Sequence, residues 1–462
     1  MVVTAKGVTQ AFTGYALSQA FDDIPSEVVE RTKLLFLDYL GVAFGGAQVA
    51  ESSGPIIDGV RELAAGAPGD ASVLGGGAPL PAHYAALINA TLAHSMDFDD
   101  THREGILHIG TPLFSTLLAL AEGSGASGQE LLTAAVAGYD VIGKLARAHG
   151  GAVHARGFHP TATTGIFGAT AAGARLLGYT PEQTANALGL NVSQSAGSLQ
   201  FLANGSWNKR FHTGLTAHNA IVSLVMARHG YVGATEPIEG GAGYLALYAG
   251  GEADLAVALD GLGSSFEVMK TAVKPYPCCR YSHATIDALI EMAREGGITP
   301  DDVDTIRIGM GTTAFGLVAD PSDRKRTPSN VVEGQFSVYF AAAAALAGTY
   351  NWGSYDRLDD ASVRDVMART EVTLVPQMGA EIGSTVTLTT TDGRVMSRDV
   401  PFPKGEPENP MSWDEMHAKF LEWSVGSVGE ANAHALADMV GRLESVGSVR
   451  ELSPHLVSIK ED

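Results

Sequence analysis

The stretch AALINATLAHSM at residues 85–96, continued by DFDDTHREGILH at residues 97–108, is the most informative part of this chain. Its first half is an apolar run typical of a buried helix. Its second half brings three aspartates, a glutamate and two histidines directly after that helix. Titratable groups at the end of a buried helix are costly unless they are paired or used in chemistry. The stretch therefore predicts an acid/base cluster or a metal site, and the simpler alternative is a solvated helix end capped by aspartate.

The composition argues against polyanionic partners. The chain has 462 residues, enough for two or more domains, with 45% hydrophobic and 18% charged residues. Its 51 acidic and 30 basic side chains give a net charge of −21. Such a charge disfavours binding to nucleic acid or to an anionic membrane surface. An anionic substrate would need a local basic pocket.

The cysteines and the first residues predict a cytoplasmic protein that does not enter a membrane. The two cysteines, Cys278 and Cys279, are adjacent and form no disulfide framework, which fits a reducing compartment. The chain contains no run of about 18 apolar residues. The first residues lack a basic segment followed by a continuous apolar stretch, as a secretory signal would have.

Periodicity divides the chain into a helical part and a mixed part. Residues 1–267 mostly predict helices, and from about 268 strands and a hairpin at 384–402 alternate with helices. After 403 the helical pattern returns. We predict a mainly α protein with a large all-helical domain, residues 1–267 plus 404–462, and an inserted smaller α+β lid domain, residues 268–403. The individual helices are predicted at 26–46, 110–123, 129–147, 161–177, from Thr180 onward, 213–229, 282–296, 331–347 and 355–369, and the strands at 303–311 and 370–377.

Three further segments place basic side chains and histidines beside predicted helix starts or turns. In RGFHPTATTG, His159 comes just before a helix, and in NGSWNKRFHTG, Lys209 and His212 do the same. The free N–H groups of a first helical turn can bind an anion there. A solvated basic loop is the alternative. The segment VKPYPCCRYSHA, at the predicted domain junction where ligand sites are common, holds Lys274, Arg280 and His283.

Taken together, these segments resemble the MmgE/PrpD family. The matching pieces are AHSMDFDDTH, GFHPTATTGIFGATAAGARLLG, KRFHTGLTAHNA and VKPYPCCRYSHA, in family order and at family spacing. The resemblance covers nearly the whole chain. It implies a homodimer whose active site lies between a helical domain and a lid, without a metal or an organic cofactor. Known members include 2-methylcitrate dehydratases, cis-aconitate decarboxylases and an iminodisuccinate epimerase.

The resemblance also implies roles for single residues. Asp97 and Thr101 match site residues of the acid-rich motif, and His108 matches the catalytic histidine that follows it. Because the spacing is one residue longer here than in many members, His102 stays an alternative acid/base. His159 matches the histidine of the GFHP motif and is a further catalytic candidate. The residues expected to bind the substrate are Thr101, Lys209, Lys274, Arg280 and His283.

These residue types fit proton transfer beside a carboxylate. Dehydration, decarboxylation of an allylic carboxylate and epimerisation all need a histidine that exchanges protons near neutral pH. They also need cations that stabilise an enediolate-like charge. We therefore expect a cofactor-independent lyase acting on a small di- or tricarboxylate. Dehydration of the 2-methylcitrate type ranks first because it is the commoner family activity. Decarboxylation of the cis-aconitate type and epimerisation of an amino-dicarboxylate such as iminodisuccinate are the alternatives.

Two hypotheses from other functional classes compete with the lyase hypothesis. DDTHRE is loosely similar to the aspartate-rich motif of all-helical isoprenoid synthases, which bind Mg²⁺ and a diphosphate. Such enzymes need a second metal-binding helix, which the sequence does not show, and the α+β segment is foreign to them. The other reading is a binding protein without catalysis, and the retention of Asp97, His159, Lys209 and Lys274 together argues against it.

Overall fold

The computed structural model describes residues 7–378 and 381–457. Internal contacts divide the chain into two compact units. The larger unit comprises Met1–Gln200, Trp207–Val273 and Ser412–Asp462, and the smaller comprises Phe201–Ser206 and Lys274–Met411. The domain boundaries at 268 and 403 stay a sequence-based prediction.

The larger unit is built almost entirely from helices, so the predicted mainly α fold is confirmed. Glycines such as Gly138, Gly168 and Gly173 lie where two helices approach closely, as the glycine-rich composition suggests. Among the described residues no single helix is long and apolar enough to cross a membrane, and only the sharply bent pair Ser26–Val49 and Ser53–Ala64 reaches that length together. The α-helices of the larger unit are Val8–Ser18, Ser26–Val49, Ser53–Ala64, Ala82–Ala93, Gly110–Ser124, Gly128–His149, Ala152–Ala155, Pro160–Leu176, Pro181–Asn191, Asn208–Arg228, Tyr244–Tyr248, Leu255–Leu259, Trp413–Val428 and Glu430–Gly441.

The Ser26–Val49 helix corrects one predicted boundary. We expected it to close at Gly45 and Gly46, but it continues to Val49. The glycines serve close packing instead. A Cβ atom placed on Gly46 would lie 2.0 Å from the carbonyl oxygen of Leu92, so only glycine allows this approach. The contact fixes the helix that precedes the acid-rich segment.

Helix starts at two other positions give one confirmation and one correction. Thr180 caps the Pro181–Asn191 helix as predicted: its hydroxyl accepts from the Gln183 backbone N–H, and the Gln183 side chain accepts from the Thr180 N–H. The helix predicted from residue 213 instead begins at Asn208. Lys209 and His212 are therefore within its first turns and do not precede it.

In the smaller unit a four-stranded sheet packs against helices. The strand order is Thr370–Leu374, Val303–Met310, Ser384–Thr390 and Val395–Val400. The first pair is parallel and the other two pairs are antiparallel. The helix predicted at 331–347 is broken, because Ser337 accepts from the Phe340 N–H and starts a new helix. The helical segments of five or more residues in this unit are His283–Gly296, the π-helical turn Phe315–Ala319, Val331–Gln335, Val338–Ala345, the 3₁₀ turn Trp352–Arg357 and Ala361–Ala368. The last two replace the single helix predicted at 355–369.

Candidate active site

The acid-rich segment follows the buried Ala82–Ala93 helix, and its three aspartates and two histidines are themselves buried. Asp97 adopts a left-handed backbone conformation, with φ of 51°, which aspartate tolerates better than most residues. This turn reverses the chain right after the helix. It places the carboxylates of Asp97 and Asp99 beside the imidazole of His108.

Asp99 holds two imidazoles. Its Oδ2 atom lies 2.8 Å from Nδ1 of His94 and 3.1 Å from Nδ1 of His108, and it accepts a 2.5 Å hydrogen bond from the Thr111 hydroxyl. Burial acts to raise the pKa of Asp99, but His108 and His94 outweigh it and hold the pKa well below its ordinary value. Asp99 is therefore ionised. Nδ1 of His94 is hydrogen-bonded to Asp99, and Nδ1 of His108 lies within ion-pair distance of the same carboxylate. An ionised carboxylate favours the tautomer with hydrogen on Nδ1, which makes Nε2 the ring atom through which His108 can exchange a proton.

Asp97 and Lys209 form the opposite side of this arrangement. Lys209 Nζ donates to Asp97 Oδ1 at 2.5 Å, and Nε2 of His108 lies 3.7 Å from the same oxygen. Both partners are buried, so the bond is charge-assisted and poorly screened. His108 thus has a carboxylate near each ring nitrogen, Asp99 at Nδ1 and Asp97 at Nε2. Lys209 neutralises the charge of Asp97.

Two further histidines complete the cluster. His159 is the residue before the Pro160–Leu176 helix, and its Nδ1 lies 3.2 Å from Nδ1 of His212. Burial lowers the pKa of His159 well below its usual range, and burial with help from Lys209 lowers that of His212 to about 4. Both rings are neutral at pH 7. Of two neutral rings that share this contact, one donates and the other accepts.

Beneath the cluster, Asp100 anchors the segment. It accepts from the backbone N–H groups of Ile109 and Gly110 and, at 2.6 Å, from the Tyr139 hydroxyl. Burial raises the pKa of Asp100 to about 7. The hydrogen bonds of Asp100 go to backbone N–H groups at the start of the Gly110–Ser124 helix and to Tyr139. Its contacts indicate a structural role.

His102 lies apart from His108 and has a different partner. It lies in the short strand Thr101–His102, and its Nε2 is 2.9 Å from Oε2 of the buried Glu267. Burial acts to raise the pKa of Glu267, but the hydrogen bond and charge of His102, with nearby lysines, lower it to about 2. The Gly105 N–H lies 3.3 Å from the other ring nitrogen of His102. Both nitrogens of His102 therefore have structural partners.

The predicted substrate-binding residues are split between the two units. Lys209 belongs to the cluster described above, and the hydroxyl of Thr101 is buried without a hydrogen-bond partner among the described residues. Lys274, Arg280 and His283 belong to the smaller unit and are buried there. Arg280 is paired with Glu406, and Nε2 of His283 lies 3.3 Å from the carbonyl oxygen of Cys278.

Sequence reasoning passed over several residues that the structure brings to His108. They are His94, Asp99 and Thr111, which contact it directly or through Asp99. His212, which the sequence had indicated as a possible anion-binding side chain, instead pairs with His159. His94 and Asp99 were visible in the acid-rich segment, but nothing in the spacing indicated which aspartate would hold the histidines. His94, Asp99 and His108 also offer ligand atoms within 4.8 Å of one another, so their residue types would suit a divalent cation.

Comparison with known proteins assigns the chain to a family. The model of the MmgE/PrpD N-terminal domain matches residues 10–256, and that of the MmgE/PrpD C-terminal domain matches residues 276–445. A cis-aconitate decarboxylase of Aspergillus terreus (strain NIH 2624 / FGSC A1156) is 25% identical, covering 96% of this chain and 95% of the relative. The cis-aconitate decarboxylases of Mus musculus and Homo sapiens are 25% and 24% identical to this chain. Each match covers 96% of this chain, and the matches cover 91% and 92% of the two relatives, respectively.

These names confirm the predicted enzyme class, because a decarboxylase that cleaves a carbon–carbon bond is a lyase. The two family models together span most of the chain, including three of the motifs quoted from the sequence and the fourth from Tyr276 onward. The chain belongs to the MmgE/PrpD family.

Proposed function

We propose that this lyase is a cofactor-independent decarboxylase acting on cis-aconitate or a closely similar small tricarboxylate. The observation that carries the proposal is the setting of His108, whose Nδ1 lies 3.1 Å from Asp99 and whose Nε2 lies 3.7 Å from the lysine-bound Asp97. An imidazole held this way can deliver a proton from a fixed position. The names of the full-length relatives support the substrate class.

The reaction needs one proton and no redox step. In cis-aconitate one carboxylate is attached to the carbon next to the double bond. When it leaves as CO₂, the electrons of the broken C–C bond form a new double bond. The original double-bond electrons move to the carbon beside a second carboxylate, and that carbon takes a proton. A tricarboxylate and one proton thus give a dicarboxylate and CO₂.

The cluster has a residue for each of these needs. His108 in its imidazolium form donates the proton from Nε2, while Asp99 holds Nδ1–H and stabilises the charged ring. A lysine ammonium has three donors, so Lys209 can bind both Asp97 and a substrate carboxylate. There it offsets the negative charge that spreads into the substrate as CO₂ leaves. The neutral rings of His159 and His212 supply uncharged hydrogen-bonding groups.

The ranking of reactions differs from the one drawn from sequence. Sequence placed dehydration of the 2-methylcitrate type first because it is the commoner family activity, and the relatives named here favour decarboxylation. The same proton-transfer geometry serves dehydration and epimerisation. The distinction therefore rests on which substrate fits, and it needs a direct assay.

A substrate panel followed by NMR tests the proposal. The purified chain is incubated separately with cis-aconitate, 2-methylcitrate, citrate and iminodisuccinate, and the His108→Ala variant serves as the inactive control. We expect CO₂ release and a new dicarboxylate from cis-aconitate only, with one deuterium incorporated per turnover in D₂O. Turnover of 2-methylcitrate with loss of water, or inversion of iminodisuccinate, would replace decarboxylation by the corresponding alternative.

A further inference from the structure

The Trp413–Val428 helix, near the end of the chain, places a lysine against the acid-rich segment. Lys419 lies 321 residues beyond Phe98 in the sequence, and its side chain is only 6% exposed. Its Nζ atom donates a 2.9 Å hydrogen bond to the backbone carbonyl of Phe98 and lies 3.7 Å from the centroid of the Phe98 ring. One ammonium group therefore holds both the backbone and the side chain of this residue.

Phe98 lies between the two aspartates that flank His108. Asp97 precedes it and has Oδ1 3.7 Å from Nε2 of His108, and Asp99 follows it and has Oδ2 3.1 Å from Nδ1. The Phe98 carbonyl belongs to the planar peptide unit that leads into Asp99, and Asp97 is joined to the other side of Phe98. A rotation of this carbonyl would therefore change the direction of both carboxylates. The bond from Lys419 acts on both contacts of His108 through one backbone group.

The turn that contains Phe98 needs contacts from outside to keep its shape. Its first residue, Asp97, has a left-handed backbone conformation. Such a conformation persists in a residue other than glycine when surrounding contacts fix it. Lys209 binds the Asp97 side chain at 2.5 Å, and Lys419 binds the backbone of the next residue, Phe98. Two lysines from helices distant in sequence thus hold consecutive residues of the turn.

Lys419 is itself held in place. Its Nζ lies 2.7 Å from Oδ1 of Asp38, a buried residue of an earlier helix. The same two helices pack closely at Gly45 and Trp423, where a Cβ atom on the glycine would lie 2.9 Å from the indole ring and 2.7 Å from the sulfur of Met96. Met96 is the residue just before Asp97 in the chain. Close packing of this kind leaves little room for the lysine or the turn to move.

We propose that Lys419 is a positioning residue of the candidate active site. It holds the Phe98 backbone so that Asp97 and Asp99 keep their places at the two ring nitrogens of His108, and it takes no part in proton transfer itself. The inference rests on the proposed role of His108 as the acid, whichever carboxylate is the substrate. A displacement of about 1 Å in a catalytic group can cost about 10²-fold in rate, so loss of this bond should lower kcat.

Steady-state kinetics with cis-aconitate test the effect on the rate. Lys419→Met keeps the apolar part of the side chain and should lower kcat by about tenfold or more, with KM changed by less than about threefold. Lys33→Met is the matched control, because Lys33 is a buried lysine on the same helix as Asp38 and donates to the Gly441 carbonyl at 3.0 Å and the Glu444 carboxylate at 3.1 Å. It should keep kcat within about twofold, even where urea unfolding shows a similar loss of stability. Equal losses of kcat in the two variants would overturn the proposal.

A double variant separates the lost bond from an unpaired charge. Lys419→Met alone leaves Asp38 buried without its cation, which is strongly destabilising. Lys419→Met combined with Asp38→Leu removes both charges and is the variant to use if the single one does not fold. The loss of kcat should persist in the double variant, because the Phe98 carbonyl still lacks its donor. A return to wild-type kcat would show that the buried charge caused the loss, and it would overturn the positioning role.

NMR of the histidine rings gives a readout that needs no turnover. The ring signals of ¹³C-labelled histidines are recorded without substrate, and those of His94 and His108 are assigned with His94→Gln and His108→Gln. Both signals should shift in the Lys419→Met, Asp38→Leu chain and stay at their wild-type positions in Lys33→Met. Unchanged signals would overturn the inference even if kcat falls. Full activity in His108→Ala would instead overturn the proposed function, while the ring signals would still report whether Lys419 positions the turn.

Discussion

Nδ1 of His108 lies 3.1 Å from the buried carboxylate of Asp99, which also holds His94 at 2.8 Å and Thr111 at 2.5 Å. Because an ionised carboxylate accepts and cannot donate, Asp99 favours the tautomer of His108 with hydrogen on Nδ1, and Nε2 of the same ring lies 3.7 Å from Asp97. The proposed acid is therefore defined by a pair of residues.

Replacing Asp99 by Asn should reduce kcat by about tenfold or more with a smaller change in KM. The amide has a similar shape but can donate to Nδ1, so it no longer enforces the tautomer that presents Nε2. Asp100→Asn is the matched control, because the hydrogen bonds of Asp100 go to backbone N–H groups and to Tyr139. Steady-state kinetics on the substrate identified in the panel compares the two. Equal losses would show that Asp99 acts only through folding.

His108→Ala should lower kcat by about 10²-fold or more, because it removes the proton donor. His102→Ala should lower kcat far less and should instead reduce the free energy of unfolding by about 1–3 kcal/mol, since it leaves Glu267 without its 2.9 Å partner. Kinetics and urea unfolding of both variants give the two readouts. The reverse pattern would identify His102 as the acid/base.

Lys274→Ala should lower kcat/KM by about tenfold or more while the fold is retained, if Lys274 binds a substrate carboxylate. Lys274 is buried, so Lys274→Met is a second variant that keeps the apolar length of the side chain. Kinetics with each variant measures the effect. Unchanged kinetics in both would remove Lys274 from the predicted set of binding residues.

Activity should survive exhaustive chelation. His94, Asp99 and His108 have residue types that suit a cation, but the 2.8 Å and 3.1 Å contacts already give Asp99 a role in orienting the imidazoles. The rate is measured before and after dialysis against EDTA, and again after Mg²⁺ or Zn²⁺ is added. Loss on chelation with recovery by one ion would establish a metal enzyme.

Lowering the pH should destabilise the fold, because its buried histidines stay neutral while those of the unfolded chain take up protons. His149 is not one of the candidate site residues, so a variant at this position tests the effect without altering the site. Burial lowers the pKa of His149 to about 4, so between pH 6.5 and pH 4 the unfolded chain binds a proton that the folded chain does not. Stability from this group is complete above about pH 6.5 and falls as the pH drops. Between pH 7 and pH 5 the loss is roughly 2 kcal/mol.

The measurement for this prediction is a difference between variants, because buried carboxylates such as Asp100, with its raised pKa, act in the opposite direction. His149→Gln should lose less stability than the wild type between pH 7 and pH 5 in urea unfolding. His229→Gln, at an exposed histidine, is the control and should follow the wild type. Parallel curves for His149→Gln and the wild type would contradict the lowered pKa.

Local residue order was enough to predict the fold class and to point to the segments around Asp97, His159 and Lys209, which the larger unit brings together. Helical periodicity, the Thr180 cap and the family motifs depend on local residue order, and these predictions agree with the structure. Boundaries set by long-range packing were predicted less well. Gly46 reads locally as a helix end, yet it lies inside a helix because Leu92, distant in sequence, approaches it closely.

Which titratable groups come into contact depends on how the helices and loops pack. Asp97, Asp99 and Asp100 are almost adjacent in sequence, but one pairs with Lys209, one holds His94 and His108, and one caps a helix start. These partners come from four separate helices or loops, so no local pattern could assign them. The same holds for His102, whose partner Glu267 lies 165 residues away. Residue types fix what chemistry is available, and the packing of helices fixes which groups are close enough to perform it.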